Sequence, residues 1–306
     1  MNIVKRRNWF FALSLVVIVS GVISFVTFGL KLGIDFTGGT LWEIKFNDLE
    51  GNAPQRSRLE EVFSLKETSF SSIAATSQDS VLIRTDETDE IKIKEIKEEL
   101  ENNFGQTEDV RLETIGPTIS DELTQKAIKA VAISILAILI YVTWAFRKVP
   151  KPTSSLAFGI CTVIALFHDV IITVGSFTIL GYLFGLEIDL LFITALLTVL
   201  GFSVHDTIVV FDRIRENLLK HSDHNFETIV NHSLLQTITR SLNTSITVLF
   251  VLLALLLFGG QSIRGFTIAL IIGIVSGTYS SIFIASPLLV VWNKVKNKNR
   301  QRGSAG

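Results

Sequence analysis

The chain has 306 residues and a mass of 33.9 kDa, with 48% hydrophobic and only 19% charged side chains, against about 25% charged in an ordinary globular chain. Mean hydropathy is +0.47, the net charge is −1, and the charges cluster between long runs that contain almost none. These figures exclude a disordered, collagenous or disulfide-built chain. They argue against a water-soluble enzyme and leave no overall basic field for nucleic acid.

In chain order, a basic start (Lys5, Arg6, Arg7) leads into the apolar run Trp9–Gly29. That run exceeds the roughly 7–15 residues of a signal-peptide core and ends without a small-x-small cleavage site, so a retained anchor is expected. Gly33-Ile34-Asp35-Phe36-Thr37-Gly38-Gly39 follows. It lacks the lysine of a phosphate loop, so Gly33, Asp35, Gly38 and Gly39 fit a tight connection out of the first span. Thr40–Phe46 alternates, with Trp42, Ile44 and Phe46 on one face, as a strand does. Pro54–Leu65 carries Leu59, Val62 and Phe63 at helical spacing. Ser69–Thr76 and Ser80–Thr85 form a hairpin pattern around a polar turn. Thr88–Phe104 is a charged helix with Ile93, Ile96, Leu100 and Phe104 as its apolar stripe, and Glu108–Ile115 is a last strand.

The order βαββαβ predicts a ferredoxin-like α+β domain at 30–119, between the first and second spans. Gly116-Pro117 then breaks the chain, with Asp121 and Glu122 in the first turn of the next helix, where carboxylates favour the positive end of the dipole. Between Lys31 and Gln125 there are 21 acidic and 10 basic residues.

Five more apolar runs approach or exceed the roughly 20 residues that cross a bilayer: Ala127–Phe146, Ser155–Leu180, Leu190–Phe211, Ser241–Phe258 and Phe266–Trp292. The expected protein is an α-helical polytopic membrane protein with six transmembrane helices. Residues 1–29 hold the N-terminus and first span, 120–292 the other spans and 293–306 a tail. Asp212–Thr239 is the one long loop expected between the later spans. Lys and Arg gather at Arg147, Lys148, Lys151, at Arg213, Arg215, Lys220 and in the tail, while the opposite short loops carry only Arg264. The basic side is therefore the cytoplasmic one, with both termini inside and the acidic domain outside.

Ionisable groups inside spans are costly and mark function by default. Asp206, beside His205 and one turn after Ser203, is the sharpest case. A snorkelling interfacial Asp206 is the alternative, against which Asp212 and Arg213 supply a better boundary. His168 and Asp169 lie near the middle of the third span, where a hydrogen bond to a neighbouring helix competes with an ion-carrying role. Gln236, Arg240, Asn243, Thr244 and Thr247 share one helical face, expected to turn inward as a hydrated seam unless Arg240 merely snorkels. Gly273, Ser276, Gly277, Ser280 and Ser281 form a small-residue packing face. Cys161, the single cysteine, reads as a small buried hydrophobe. His221, His224 and His232 are irregularly spaced in the expected loop, and no metal site or cofactor is predicted. No Walker A, G-x-S-x-G or H-E-x-x-H sequence occurs.

Four stretches together resemble the SecD/SecF family of bacterial protein-export membrane proteins, on its SecF side. They are Gly33–Gly39 (GIDFTGG), Gly116-Pro117 followed by Glu122-Leu123, Ala195–Asn217 (ALLTVLGFSVHDTIVVFDRIREN) and Arg240–Thr247 (RSLNTSIT). The similarity covers nearly the whole chain. His205 departs from it, where the family more often has Asn, which leaves proton or sodium open as coupling ion.

The resemblance implies an auxiliary translocase subunit of the resistance–nodulation–division superfamily in the bacterial cytoplasmic membrane. Implied partners are SecD, the SecY/SecE/SecG channel, YajC, the motor SecA, the translocating preprotein and membrane lipid. The ion gradient would help draw the preprotein outward, with Asp206 and Arg240 in the ion pathway and Asp169 and His205 beside them. Alternatives are a small-molecule or lipid exporter of that superfamily and a passive scaffold of the translocase.

Overall fold

The computed structural model of the protein describes residues 2–47, 54–65, 70–75, 79–220 and 223–303. Helix α1 (Arg7–Phe28) is followed by the short α2 (Ile34–Thr37), β1 (Gly39–Phe46), α3 (Arg56–Leu65), β2 (Phe70–Ala75), β3 (Ser80–Thr85), α4 (Glu90–Phe104) and β4 (Thr107–Ile115). Five long helices come next: α5 (Pro117–Ala145), α6 (Ser155–Phe184), α7 (Leu190–Lys220), α8 (Phe226–Phe258) and α9 (Arg264–Ser280). A π-helical stretch at Ser281–Ala285 joins α9 to α10 (Ser286–Gly303). Among the described residues, six helical segments are long and apolar enough to cross a membrane. The chain divides into two compact units, Leu32–Ile128 and Met1–Lys31 with Lys129–Gly306.

In the first unit the strands form one antiparallel sheet in the order β2-β3-β1-β4. Side chains alternate across a strand, and Trp42, Ile44 and Phe46 are accordingly buried together. They pack with Leu59, Val62 and Phe63 of α3 and with the predicted stripe Ile93, Ile96, Leu100 and Phe104 of α4. Asp89 caps α4 by accepting from the Ile91 amide at 2.9 Å. A register shift between Glu43 and Ile44 leaves Val110 of β4 unpaired as a bulge. Beyond it Asp109 lies opposite Ile44, on the helix side, where it accepts from Trp42 Nε1 at 2.8 Å and from Lys97 of α4. A bulge re-aims a side chain in this way.

The two glycine motifs meet because β1 pairs with β4, Gly39 opposite Ile115. Gly38 and Gly39 have φ of +76° and +108°, the region that favours glycine. A Cβ on Gly39 would stand 2.5 Å from the Thr85 carbonyl oxygen, and one on Gly38 would touch Ile115, Ser120 and Pro117. The GIDFTGG stretch is thus a short helical turn and a glycine corner seated on the β4–α5 junction. Pro117 opens α5 at its first position, where a missing N–H costs nothing.

In the helical unit, α6, α7 and the α9–α10 segment are the most buried, and α1, α5 and α8 lie outside them. Asp212–Thr239, expected as a loop, is mostly helix: α7 continues to Lys220 and α8 starts at Phe226, capped by Asn225. Ile214, Leu218, Ile229, Val230 and Leu234 are buried, an amphipathic stripe that continues both helices past the wholly apolar runs. His232 therefore sits on α8 and His224 in the turn before it; His221 lies outside the described residues. The chain start is tied down too. Ile3 and Val4 are buried, with their amides donating to Asn231 Oδ1 at 2.8 and 3.3 Å, and Glu227 bridges Arg7 and Lys294. Cys161 is buried on α6.

Candidate functional site: buried carboxylates in the helical unit

Close helix approach builds the site. Gly273 and Gly277 lie one turn apart on α9 and face α7, where Cβ atoms would fall 2.2 Å from Val199 and 2.9 Å from Ser203. Small residues let helix backbones come this near. Ser276 and Ser280, again one turn apart, then reach Asp169 on α6. Asp169 is fully buried. Its Oδ1 accepts from His168 Nδ1 at 3.0 Å and Ser276 Oγ at 2.8 Å; its Oδ2 accepts from Ser203 Oγ at 2.6 Å and Ser280 Oγ at 2.8 Å. These four bonds fill the roughly four lone-pair sites of a carboxylate. His168 Nε2 is 2.7 Å from Ser14 Oγ of α1, and its ring stacks on Tyr279, whose hydroxyl donates to the Phe10 carbonyl. The π-helical stretch begins next to Ser280 and turns Ser281 toward α7. There it donates to the Ser203 carbonyl at 3.2 Å and meets Thr207 Oγ1 at 2.9 Å. Such π segments are frequent at functional sites.

Asp206 lies one turn beyond Ser203 on α7. It is only 3% exposed, yet its Oδ2 has no hydrogen-bond partner. Ser241 of α8 and His205 are its polar neighbours, and Ser241 Oγ is itself buried with no hydrogen bond of normal geometry. His205 is exposed. The two carboxylates therefore differ sharply in hydrogen bonding, although one turn of α7 connects them.

The α8 stripe lies differently from expectation. Gln236 turns to α7, accepting from Arg213 at 2.6 Å and Asn217 at 2.9 Å, whereas Arg240, Asn243 and Thr247 are exposed and Thr244 is half-buried, so the upper part of the stripe is not enclosed by this chain's own helices. Ser233, Thr237, Ser241 and Ser245 form the buried face instead, with Ser245 Oγ 2.5 Å from Thr278 Oγ1 and Ser233 accepting from Asn217 at 2.8 Å. Small hydroxyl side chains allow this close contact, and the long Arg240 is left outside it. Among the described residues no ion pair joins Asp206 to Arg240. Arg240 instead lines a hollow of about 260 Å³ with Asp212, Arg215 and Ile208 of α7. Among them, too, no cluster of three His, Cys, Asp or Glu could hold a metal ion.

Ser14, Ser276 and Ser280 are members of the site that sequence spacing presented as packing or left unremarked. For Ser276 and Ser280 the signal is a repeat of hydroxyls at i and i+4 in a span that must pass the level of a buried aspartate; Ser14 carries no such repeat.

Six membrane-length helices, a buried polar network among α1, α6, α7 and α9, and an α/β unit between the first two helices in sequence define a polytopic membrane protein. Comparison with known proteins gives the family. Residues 95–295 match the family described as protein export membrane protein SecD/SecF, C-terminal, and residues 23–48 match the SecD/SecF GG motif. The protein translocase subunit SecF of Thermobaculum terrenum is 49% identical over 95% of this chain and 94% of its own length. That of Anaerolinea thermophila is 42% identical over 98% and 96%. The crystal structure of SecDF from Thermus thermophilus, a translocon-associated membrane protein, superposes with a TM-score of 0.82 at 32% identity. It matches 96% of this chain, which spans 39% of that longer one. SecDF in a super-membrane-facing form gives 0.69 at 30% identity. The chain belongs to the SecD/SecF family of protein export membrane proteins, and as a member it is a multi-pass protein of the bacterial inner membrane.

Proposed function

We propose that this chain is a subunit of the Sec protein translocase that pairs with SecD and uses the transmembrane ion gradient, carried by protons, to promote outward movement of preproteins. It acts as a secondary-transport device and not as an enzyme. Asp206 takes up and releases the ion. The observation that carries this is the Asp206 carboxyl: buried, with one oxygen unpartnered, against a Ser241 hydroxyl that makes no hydrogen bond of normal geometry either. An unsatisfied buried polar group is expensive, so a site that keeps one is suited to a species that comes and goes.

Desolvation and a nearby guanidinium act in opposite senses on the proton affinity of a carboxyl. Moving Asp206 between a dry environment and one near Arg240 would load and release a proton. One elementary charge crossing about 100 mV gains roughly 2.3 kcal/mol, enough to bias two packings of a domain. The outward polar stripe of α8, with Arg240, Asn243 and Thr247, then faces SecD, whose presence in one longer chain with this fold supports the pairing. The first unit is a ferredoxin-like domain outside the membrane, both termini are cytoplasmic, and the SecY/SecE/SecG channel, YajC and SecA are neighbours in the same machinery.

The export of a secreted protein in cells tests the pathway. Arg240→Ala should remove the gradient-dependent part of export, and Arg240→Lys, which keeps the charge but loses the planar fork, should retain a substantial fraction. Equal, full export in both variants would favour a passive scaffold.

A further inference from the structure

We infer that Asp169 is a positioning residue for the ion step: it holds Ser203, and through Ser203 the turn of α7 that presents Asp206 to α8. This builds on the proposal that Asp206 is the carboxylate that takes up the ion. Both Asp169 oxygens already accept two bonds each, at 2.6–3.0 Å, from α6, α7 and α9. No part of the residue is exposed, so an ion arriving there would have to displace a donor first. Asp206, one turn away, has an oxygen with no partner. The fully bonded carboxylate is built as an anchor and the partly bonded one as a site.

The anchor reaches the Asp206 turn through one bond, and a second contact from the π-helical stretch fixes the same turn independently of Asp169. Ser203 Oγ donates to Asp169, and the Ser203 carbonyl accepts from Ser281, which also meets Thr207. Ser280 donates to the same Asp169 oxygen, but from α9 and with no bond to α7. The groups facing the two carboxylates are His168 and Ser14 on the Asp169 side, with Tyr279 stacked on His168, and His205 and Ser241 on the Asp206 side. Among the described residues Ser203 is thus the α7 side chain bonded to Asp169, and through it Asp169 sets the height and rotation of Asp206.

The test uses the complex with SecD, purified and placed in lipid vesicles. A hydrophobic carbodiimide, which attaches covalently to membrane carboxyls, is applied and the modified residue is mapped by mass spectrometry. Modification is expected at Asp206 and not at Asp169. Losing a bond to a carboxylate should matter by roughly tenfold, so Ser203→Ala should change the Asp206 modification rate by about that factor, and Ser280→Ala by less than about twofold. In an Asp169→Asn background, Ser203→Ala should have little further effect, because residues acting through one contact are not additive.

Modification of Asp169, no modification of Asp206, equal effects of the two serine variants, or an additive Ser203→Ala effect in the Asp169→Asn background would each overturn the inference. The rate of modification does not depend on export. If Asp206 proves irrelevant to gradient-driven export, the Asp169–Ser203 coupling is still read separately.

Discussion

Gly39 and Asp206 are single positions at which the backbone or the hydrogen bonding admits little choice. Gly39 combines φ of +108° with a Thr85 carbonyl oxygen 2.5 Å from where a Cβ would stand. The carbonyl belongs to the paired strand and cannot swing aside as a side-chain tip would. Gly39→Ala should therefore destabilise the Leu32–Ile128 unit by about 2 kcal/mol, read as faster amide exchange across β1 and β3, whereas a change at Gly116, whose Cβ would meet nothing within 4 Å, should be tolerated. Asp206 was singled out in the sequence by the cost of a carboxylate inside an apolar run. Its difference from Asp169 was not legible there. Both are acids beside a histidine in a span, and only the convergence of Ser203, Ser276 and Ser280 from two other helices separates them.

Periodicity served well where one face of an element meets one core. The alternation of Trp42, Ile44 and Phe46 and the stripe Ile93, Ile96, Leu100, Phe104 pointed to the buried faces of β1 and α4, because a soluble domain has one inside. The same logic inverted the face of α8, since a membrane helix with a partner has two places for polar groups, and small hydroxyls won the close contact. The extents of α7 and α8 were missed because hydropathy detects apolar runs and not the amphipathic turns that continue them.

The start of α4 carries a prediction of its own. Glu87 accepts from Lys92 Nζ at 2.9 Å and from the Thr88 and Asp89 amides at 3.1 Å. The Lys92 bond above all, then the Asp89 amide, hold its carboxyl below the ordinary 4.5. A depressed carboxyl contributes stability above its unfolded value, and that contribution is lost as pH falls through the lower folded value. Glu87→Gln should speed amide exchange at the start of α4 at pH 7, with the difference from the native chain shrinking below pH 4.5 and vanishing once the native carboxyl is protonated. The effect should be small and weaken with salt, since the Lys92 end of the pair is exposed.

At the scale of the whole molecule, the acidic domain and the basic flanks of the later spans predict an outward domain with both termini inside. Single cysteines at Asp79→Cys or Asp89→Cys, in a chain whose Cys161 is buried, should be labelled by an impermeant thiol reagent in intact cells. Labelling only after membrane rupture would reverse the orientation. The exposed apolar faces of α1, α5 and α8, with Leu13, Ile133 and Phe250 among them, leave ample surface for lipid and for SecD.

The gradient links these scales, and Asp206→Asn in inverted membrane vesicles tests it most directly. The substitution nearly preserves volume and keeps hydrogen-bonding capacity, so insertion and SecD retention should survive, but it removes the group that can bind and release a proton. Transport of a secreted protein into the vesicles is measured with and without an imposed proton gradient. The account predicts basal, ATP-driven transport as in the native vesicles and no stimulation when the gradient is applied. Stimulation by the gradient equal to that of the native protein would contradict it.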